Sequence, residues 1–362
     1  MSGGKRQFPG IKTRNIIYYI YVRKEEKRVS SHLHFLIQSV VPQTVSYYQS
    51  NFGGLETVYQ LHGYPHSVLE RILQGICDRA EQEGIPVQVI HHCLDNSVQG
   101  ILLPGRSAGV YGIDAYDPNT FTVLSMLRPE ELLAVKENLE EAGKLYRKAR
   151  AIHDEQEKIY IGNMDFEAAD RLTEETIDHL LGGKGTAHTG SGTHRFFGAA
   201  TVNGSINYIP EVTQALERRY FVKGRPGTGK STFLKKLARA AMARGFDTEI
   251  YHCSLDPKSL DLVAVRELGF CLFDSTAPHE YFPTRQGDEI IDIYEKCVTP
   301  GTDEKYREEL DRLQKTYKGM LLNAAVYLKN VKKACDRLEA SLPSLSKAEE
   351  EDIAQQLIKK LF

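Results

Sequence analysis

The residues best equipped for chemistry lie together at Gly224-Arg225-Pro226-Gly227-Thr228-Gly229-Lys230-Ser231. The run fits G-x-x-x-x-G-K-[ST] in full, the spacing of a loop that cradles phosphate. Gly227 and Gly229 permit backbone angles that a Cβ resists, so successive N–H groups can converge on one anion. A helix beginning near Lys230 adds unbonded N–H groups and the positive end of its dipole. Lys230 is expected to reach the β- and γ-phosphates as a point charge, and the Ser231 hydroxyl to ligate Mg²⁺. Thr232 extends the run expected to touch the nucleotide. This chemistry predicts a bound nucleoside triphosphate with Mg²⁺; the loop grips phosphates and does not read the base, and ATP is favoured by its commonness.

A second carboxylate is expected near the metal. Phe270-Cys271-Leu272-Phe273 is an apolar run that ends in Asp274, the Walker B pattern. The same residue also reads as an Asp that caps the start of a loop. Ligands of open α/β sheets bind at the carboxyl ends of strands, which favours the metal reading. Many ATPases carry a glutamate directly after this aspartate, and here that position is Ser275. The group that orients the attacking water therefore stays open among Asp256, His279 and Glu280, and Arg285 is a candidate sensor of the γ-phosphate. His252-Cys253 and His91-His92-Cys93 invite a metal reading. Neighbours on a strand point to opposite faces, so these are read as buried strand-end residues.

The elements that must position these groups follow from local pattern. A strand at Tyr220–Lys223 precedes the loop, and a helix from Ser231 to about Arg244 follows it, stopped by Gly245. Glu249-Ile250-Tyr251 and Phe270–Phe273 read as further buried strands. Strands alternating with helices predict an α/β fold: a P-loop NTPase-type parallel sheet with flanking helices. The unit is written twice. At a constant offset Tyr59, Gly63, Pro65, Leu73, Ala80, Gly84, His91, Leu94 and Asp95 meet identical residues at Tyr220, Gly224, Pro226, Leu234, Ala241, Gly245, His252, Leu255 and Asp256. With a one-residue adjustment His34–Tyr48 meets His194–Tyr208, Ile113-Asp114 meets Phe273-Asp274, and Pro118 meets Pro278.

Each copy ends in a long charged helical stretch, from Pro129 to about Leu181 and from Thr302 to Phe362. Leu310, Leu313, Tyr317, Leu321 and Ala324-Ala325 recur at helical spacing, which predicts a helical-hairpin tail on each copy. The expected organisation is an N-terminal extension at 1–31, a first repeat at 32–181, a Gly-rich flexible linker at 182–193 and a second repeat at 194–362.

The first copy has lost the phosphate motif. It reads Gly63-Tyr64-Pro65-His66-Ser67-Val68-Leu69-Glu70. Leu69 stands where Lys230 does and Glu70 where Ser231 does, so a triphosphate would meet an apolar group and a negative charge. His66 and Val68 replace both inner glycines. Asp114 stands where Asp274 does. One triphosphate per chain is the expectation, with the first copy a scaffold or regulator.

The segments Tyr220–Thr232, Tyr251–Asp261 and Phe273–Pro283 resemble the tandem-repeat P-loop ATP-binding proteins of bacteria, a family of uncharacterised ATPases. The resemblance spans roughly residues 32–345, strong in the second copy and patchy in the first. It implies a P-loop fold and ATP binding, and it supplies no substrate. Members keep the loop in both copies, and this chain departs from that at Leu69 and Glu70.

Bulk properties set the outer bounds. The 362 residues are 41% hydrophobic, 26% charged and of net charge −2, so no strong field recruits nucleic acid. Six scattered cysteines without a C-x-x-C pair argue against a disulfide framework or zinc ribbon. The longest early apolar run, Ile16 to Val22, is too short for a membrane span or a signal peptide. These features predict a cytoplasmic protein with no membrane partner. The activities compatible with them are an ATPase that moves an unknown protein partner, a kinase for a small acceptor or nucleotide, and a nucleotide-gated interaction protein without turnover.

Overall fold

The computed structural model describes residues 32–39, 44–113, 129–277, 279–340 and 345–362. The extension at 1–31, Asp114, Pro118 and Pro278 lie outside them. The fold is α/β, with mixed sheets and helices on their outer faces.

Two sheets are built in the same order. The first takes β1 (Leu33–Phe35), β2 (Thr57–His62), β3 (Gln88–His91), β4 (Val98–Leu103) and β5 (Ala108–Ile113), arranged β1-β3-β4-β5-β2. The second takes β6 (Gly192–Phe196), β7 (Arg218–Lys223), β8 (Thr248–His252), β9 (Leu260–Val265), β10 (Phe270–Asp274) and β11 (Asp288–Asp292). Its order is β6-β8-β9-β10-β7-β11. Strand directions match as well. β8 pairs antiparallel with β9 and β9 with β10, while β10 and β7 run parallel; β3, β4, β5 and β2 repeat that pattern.

The expected all-parallel sheet is thus corrected. A hairpin replaces a helical crossover at β9–β10 because only the short turn Arg266–Leu268 and Gly269 join them. A parallel connection needs a dozen residues or more. Gly269 has φ +68°, and Ser107 has φ +48° at the same turn of the first sheet.

Alternation along each strand serves two cores. Tyr220 and Val222 of β7 face outward to a helical layer, while Phe221 faces the other way. On the inner side Phe35, Ile90, Leu102 and Tyr111 of the first sheet share one core with Phe221, Tyr251, Leu262 and Phe273 of the second. The sheets therefore pack face to face, with helices outside both. Their edges also meet: Leu36 and Phe196 exchange N–H to carbonyl bonds of 2.8 and 2.7 Å. Arg195, buried between the halves, donates to Asn51 Oδ1 and Gln88 Oε1, pairs with Glu249 at 3.1 Å and lies over the Phe35 ring. Burial alone would raise the Glu249 carboxyl. Arg195 and Arg266 reverse this and hold it below its ordinary value.

The last helix of each tail does not fold back on its own copy. α1 (His66–Gln82) covers the first sheet and α4 (Lys230–Ala243) the second. The long helices α2 (Pro129–Ile161) and α5 (Arg307–Glu339), one from each tail, lie antiparallel, with Gln156 beside Gln314 and Asn138 beside Asn330. The helices that follow them are exchanged. α3 (Phe166–Leu181), from the first tail, places Leu172, Leu180 and Leu181 in the core under α4. α6 (Lys347–Leu361), from the second tail, places Leu357, Ile358 and Leu361 in the core under α1. An apolar face must be buried somewhere, and roughly 1.5–3 kcal/mol per large aliphatic side chain favours the docking. The Gly-rich connector after α3 is pinned rather than free. Thr186 N–H donates to the Arg244 carbonyl at 2.8 Å, and Ser191 N–H donates to Asp247 Oδ1 at 2.8 Å.

Candidate functional site

β7 ends at Lys223, the loop Gly224–Gly229 follows, and α4 begins at Lys230, as its residue types require. Gly227 and Gly229 take φ +79° and +83°, the left-handed region that a Cβ disfavours. Gly224 is demanded by space: a Cβ there would lie 2.5 Å from Thr228 Oγ1. Thr228 is buried and staples the loop, donating to the Arg225 carbonyl at 2.8 Å while accepting from Arg225 N–H at 3.1 Å. Pro226 stands between these two stapled positions. Lys230 Nζ folds back to the Arg225 carbonyl at 2.8 Å and lies 3.6 Å from Asp274 Oδ2. Thr232 is exposed on the first turn of α4.

The parallel pairing of β7 with β10, Val222 opposite Asp274, delivers Asp274 beside the loop. Asp274 caps the loop that follows it and also faces the lysine of the phosphate loop. One oxygen faces Lys230, and the other accepts from the N–H and hydroxyl of Thr276 at 3.1 and 2.6 Å. Ser231 Oγ accepts from Leu260 N–H at 2.9 Å, which sets it at the start of β9. A second carboxylate joins them. Leu262 pairs with Phe273, so Asp261 falls beside Asp274 at the strand ends. Burial first, then the charge of Asp274, push the Asp261 carboxyl up to about 7, against the pull of Cys253 and Lys230. Two carboxylates so placed resist ionising together, and a cation between them would relieve the repulsion.

The roof comes from the other half. Above Gly227 lies α2: a Cβ on that glycine would sit 2.7 Å from the Glu157 carbonyl oxygen. One face of α2 then lines the site. Arg150 Nη1 is 2.8 Å from Asp256 Oδ1, and His153 Nδ1 is 3.3 Å from Glu157 Oε1. The Glu157 carboxyl is held below its ordinary value, chiefly by His153, with Arg150 and Lys230 adding to the pull. His153, Asp154 and Glu157 offer ligand atoms within 4.8 Å of one another.

Other expected residues take different places. His279 packs edge-on against Phe197 at 5.2 Å; burial lowers its basicity, and Asp274 partly restores it. Glu280 pairs with Lys223 at 3.2 Å. Arg285 does not face the loop. Its guanidinium donates to the carbonyls of Thr213, Gln214 and Leu216, closing the end of the short helix Ile209–Thr213. It is a structural cap, which corrects its expected role as a phosphate sensor. Asp261, Arg150 and Glu157 were missed by motif reading. Only Asp261 had a local signal, at the head of an apolar run that is a strand.

Compared with protein-family models, curated proteins and solved structures, the chain finds no match.

The matching place in the first half is closed. α1 begins at His66, a turn earlier than α4 does, and Val68 and Leu69 N–H both donate to the Pro65 carbonyl. Without glycines the chain enters the helix at once, and its N–H groups are spent within it. Leu69 is 1% exposed in the helical core. Asp95, the counterpart of Asp256, lies 3.5 Å from His92 and 3.4 Å from Lys332 of α5. Burial alone would raise its carboxyl, but His92 and Ser97 hold it well below the usual range. Both histidine pairs at the strand ends are at least half-buried, and His91 is buried. His34 and His91 stand 2.9 Å apart under Tyr208, and His194 and His252 stand 2.8 Å apart under Tyr47. Tyr47, rather than Tyr48, is the counterpart of Tyr208. The six cysteines form no disulfide, and among the described residues no helix is long and apolar enough to cross a membrane.

Proposed function

We propose that the second half is a P-loop NTPase-type unit that binds ATP with Mg²⁺ and hydrolyses it, and that the first half is a duplicated copy which has lost the site. The carrying observation is the convergence of Lys230, Ser231 and Asp274 at a loop whose Gly227 and Gly229 hold positive φ, between a strand and a helix N-terminus. Backbone N–H groups, a helix dipole and an ammonium at one point favour a polyphosphate over other anions. The order of five strands common to both sheets and the repeated residues support duplication. The resemblance of Tyr220–Thr232, Tyr251–Asp261 and Phe273–Pro283 to tandem-repeat ATP-binding proteins of bacteria supports ATP as the nucleotide.

The donor set fits a hard cation. Ser231 Oγ, Asp274 and Asp261 are oxygen ligands, and the raised Asp261 carboxyl marks a pair that a divalent charge would stabilise. Mg²⁺ held there would offset charge on the phosphates. Lys230 would leave the Arg225 carbonyl for the β- and γ-oxygens, and Thr228 would keep the loop in register. In hydrolysis a water oxygen attacks the γ-phosphorus, the bond to the β–γ bridging oxygen breaks, and ADP leaves with that electron pair. Asp256, which Arg150 holds at 2.8 Å, is the carboxylate we assign to orient the water and take its proton.

ATP turnover with Mg²⁺, measured beside nucleotide binding on wild type, Lys230→Ala and Asp274→Asn, tests this reading. Phosphate release that drops at least ~100-fold in both variants is expected. Tight binding without release from wild type would sink hydrolysis and leave a nucleotide-gated switch or a kinase awaiting its acceptor. No binding at all would sink the site.

A further inference from the structure

Lys223, Arg225 and Lys230 lie in or beside the loop and belong to the second half's own chain. Arg225 is held by Asp303 at 2.8 Å and by the face of Tyr294, and Lys223 by Glu280 and the Tyr281 carbonyl. Arg150 differs in origin. It rides on α2, which follows the first sheet in the chain and packs along α5 of the other tail. Arg150, His153 or Asp154, and Glu157 recur at three- and four-residue spacing, so they share one helix face. The Glu157 end of that face touches Gly227, and the Arg150 end reaches Asp256. The guanidinium thus lies on the helix face that meets the phosphate loop, about two turns from that contact, and is bound by two carboxylates, Asp154 of its own helix at 2.9 Å and the half-buried Asp256 at 2.8 Å. A terminal phosphoryl group carries more negative charge than Asp256, and it suits the two-pronged guanidinium at least as well.

We propose that Arg150 is the catalytic cation of the second-half site, supplied by the first half. It exchanges Asp256 for the γ-phosphate when ATP binds, and this exchange couples turnover to the position of α2. The inference rests on the ATP-binding reading of the loop. Without nucleotide, Arg150 holds Asp256 and the water-orienting group is engaged. With ATP, Arg150 donates to γ-phosphate oxygens as the charge on them spreads in the transition state, and Asp256 is released to the water. ADP offers no γ-phosphate, so the Arg150–Asp256 pair re-forms after release, and the long helix α2 carries the difference to the first half.

The test uses the full chain as wild type, Arg150→Ala, Arg150→Lys and Lys230→Ala, with ATP and ADP affinities, turnover and thermal unfolding measured on each. Removal of such an arginine slows phosphoryl transfer about 10³-fold or more. Arg150→Ala is expected to lose turnover on that scale, to weaken ATP binding several-fold, and to leave ADP binding unchanged. Arg150→Lys keeps a charge near Asp256 without the fork, and is expected to unfold as wild type does while losing most turnover. If wild type and Arg150→Lys turn over ATP equally while Lys230→Ala is dead, the ATP site stands and the role of Arg150 is overturned. Equal loss of ATP and ADP affinity in Arg150→Ala would also overturn it, because that is the mark of a structural pair. If wild type neither binds nor hydrolyses ATP, the site reading itself fails and the inference goes with it.

Discussion

The two halves share the order of five strands, and at the turn between strand and helix they differ at the few side chains that, on the proposed reading, decide which half can receive a phosphate. In the second half Gly227 and Gly229 hold the loop open and delay the helix until Lys230. In the first half His66 and Val68 enter the helix directly, so α1 starts at His66 and Leu69 turns into the core. The carboxylates tell the same story. Asp256 is met by Arg150 in a half-open setting, while Asp95 is buried with His92 and Lys332. An open site and a filled one thus grow from one framework. Each is reached by a basic residue on a long helix from the other tail. The comparison also shows that neither half is complete alone, since α3 and α6 are exchanged.

The exchange offers the largest effect. Deleting residues 346–362 removes Leu357, Ile358 and Leu361 from the first-half core, together with the Arg71–Glu350 pair. Three large aliphatic side chains at roughly 1.5–3 kcal/mol each amount to about 5 kcal/mol or more. Hydrogen exchange of the first sheet is expected to rise steeply while the amides of β7 and β10 stay protected, and a peptide of residues 346–362 is expected to restore protection. Uniform loss across both sheets would show that the halves melt as one unit.

A smaller change asks whether one residue can bring the proposed phosphate chemistry to the first half. Leu69→Lys restores the motif's lysine position, yet Leu69 is 1% exposed within α1. The expected result is a loss of about 3–5 kcal/mol in urea denaturation, the scale of an uncompensated buried charge. Nucleotide stoichiometry is expected to stay at one per chain. A second bound ATP would mean that the helix start at His66 yields more readily than its hydrogen bonds suggest.

Much of this was readable in sequence where the cause is local. The strand, the glycine turn and the helix of the second half follow from neighbouring residues, and so does the failure of Leu69 and Glu70. The β9 strand was not seen. Leu260-Asp261-Leu262-Val263-Ala264-Val265 breaks the expected strand–helix alternation, and only a short turn separates it from β10. The exchange of α3 and α6 was beyond reach for a different reason: an apolar helix face records that it must be covered and not by what. Arg150 was hidden likewise, as one charge on a charged helix whose site-facing side is set by packing with α5. Arg285 misled because a loop arginine near a motif looks the same whether it meets a phosphate or a helix end.

The finest distinction between the halves lies in their histidine pairs. Burial, then the charge of the partner ring, lower His91 to about 3, and burial lowers His34 to about 4. In the other pair burial lowers His252 to about 4 and lowers His194 as well. All of these fall below the ordinary imidazole value of about 6.5. The folded state therefore favours the neutral rings, and the unfolded chain binds more protons between about pH 6.5 and pH 4. The stability these rings contribute is fully present above pH 6.5 and is lost as pH falls toward 4. His91→Gln keeps a polar group near Asn96 and cannot charge, so it is expected to flatten the fall of stability with acid. His194→Gln, whose ring is less deeply buried, is expected to flatten it less. Denaturant midpoints at a series of pH values between 7 and 4 measure both slopes, and equal slopes in the two variants would mean that the first-half pair is no more deeply shielded than the second.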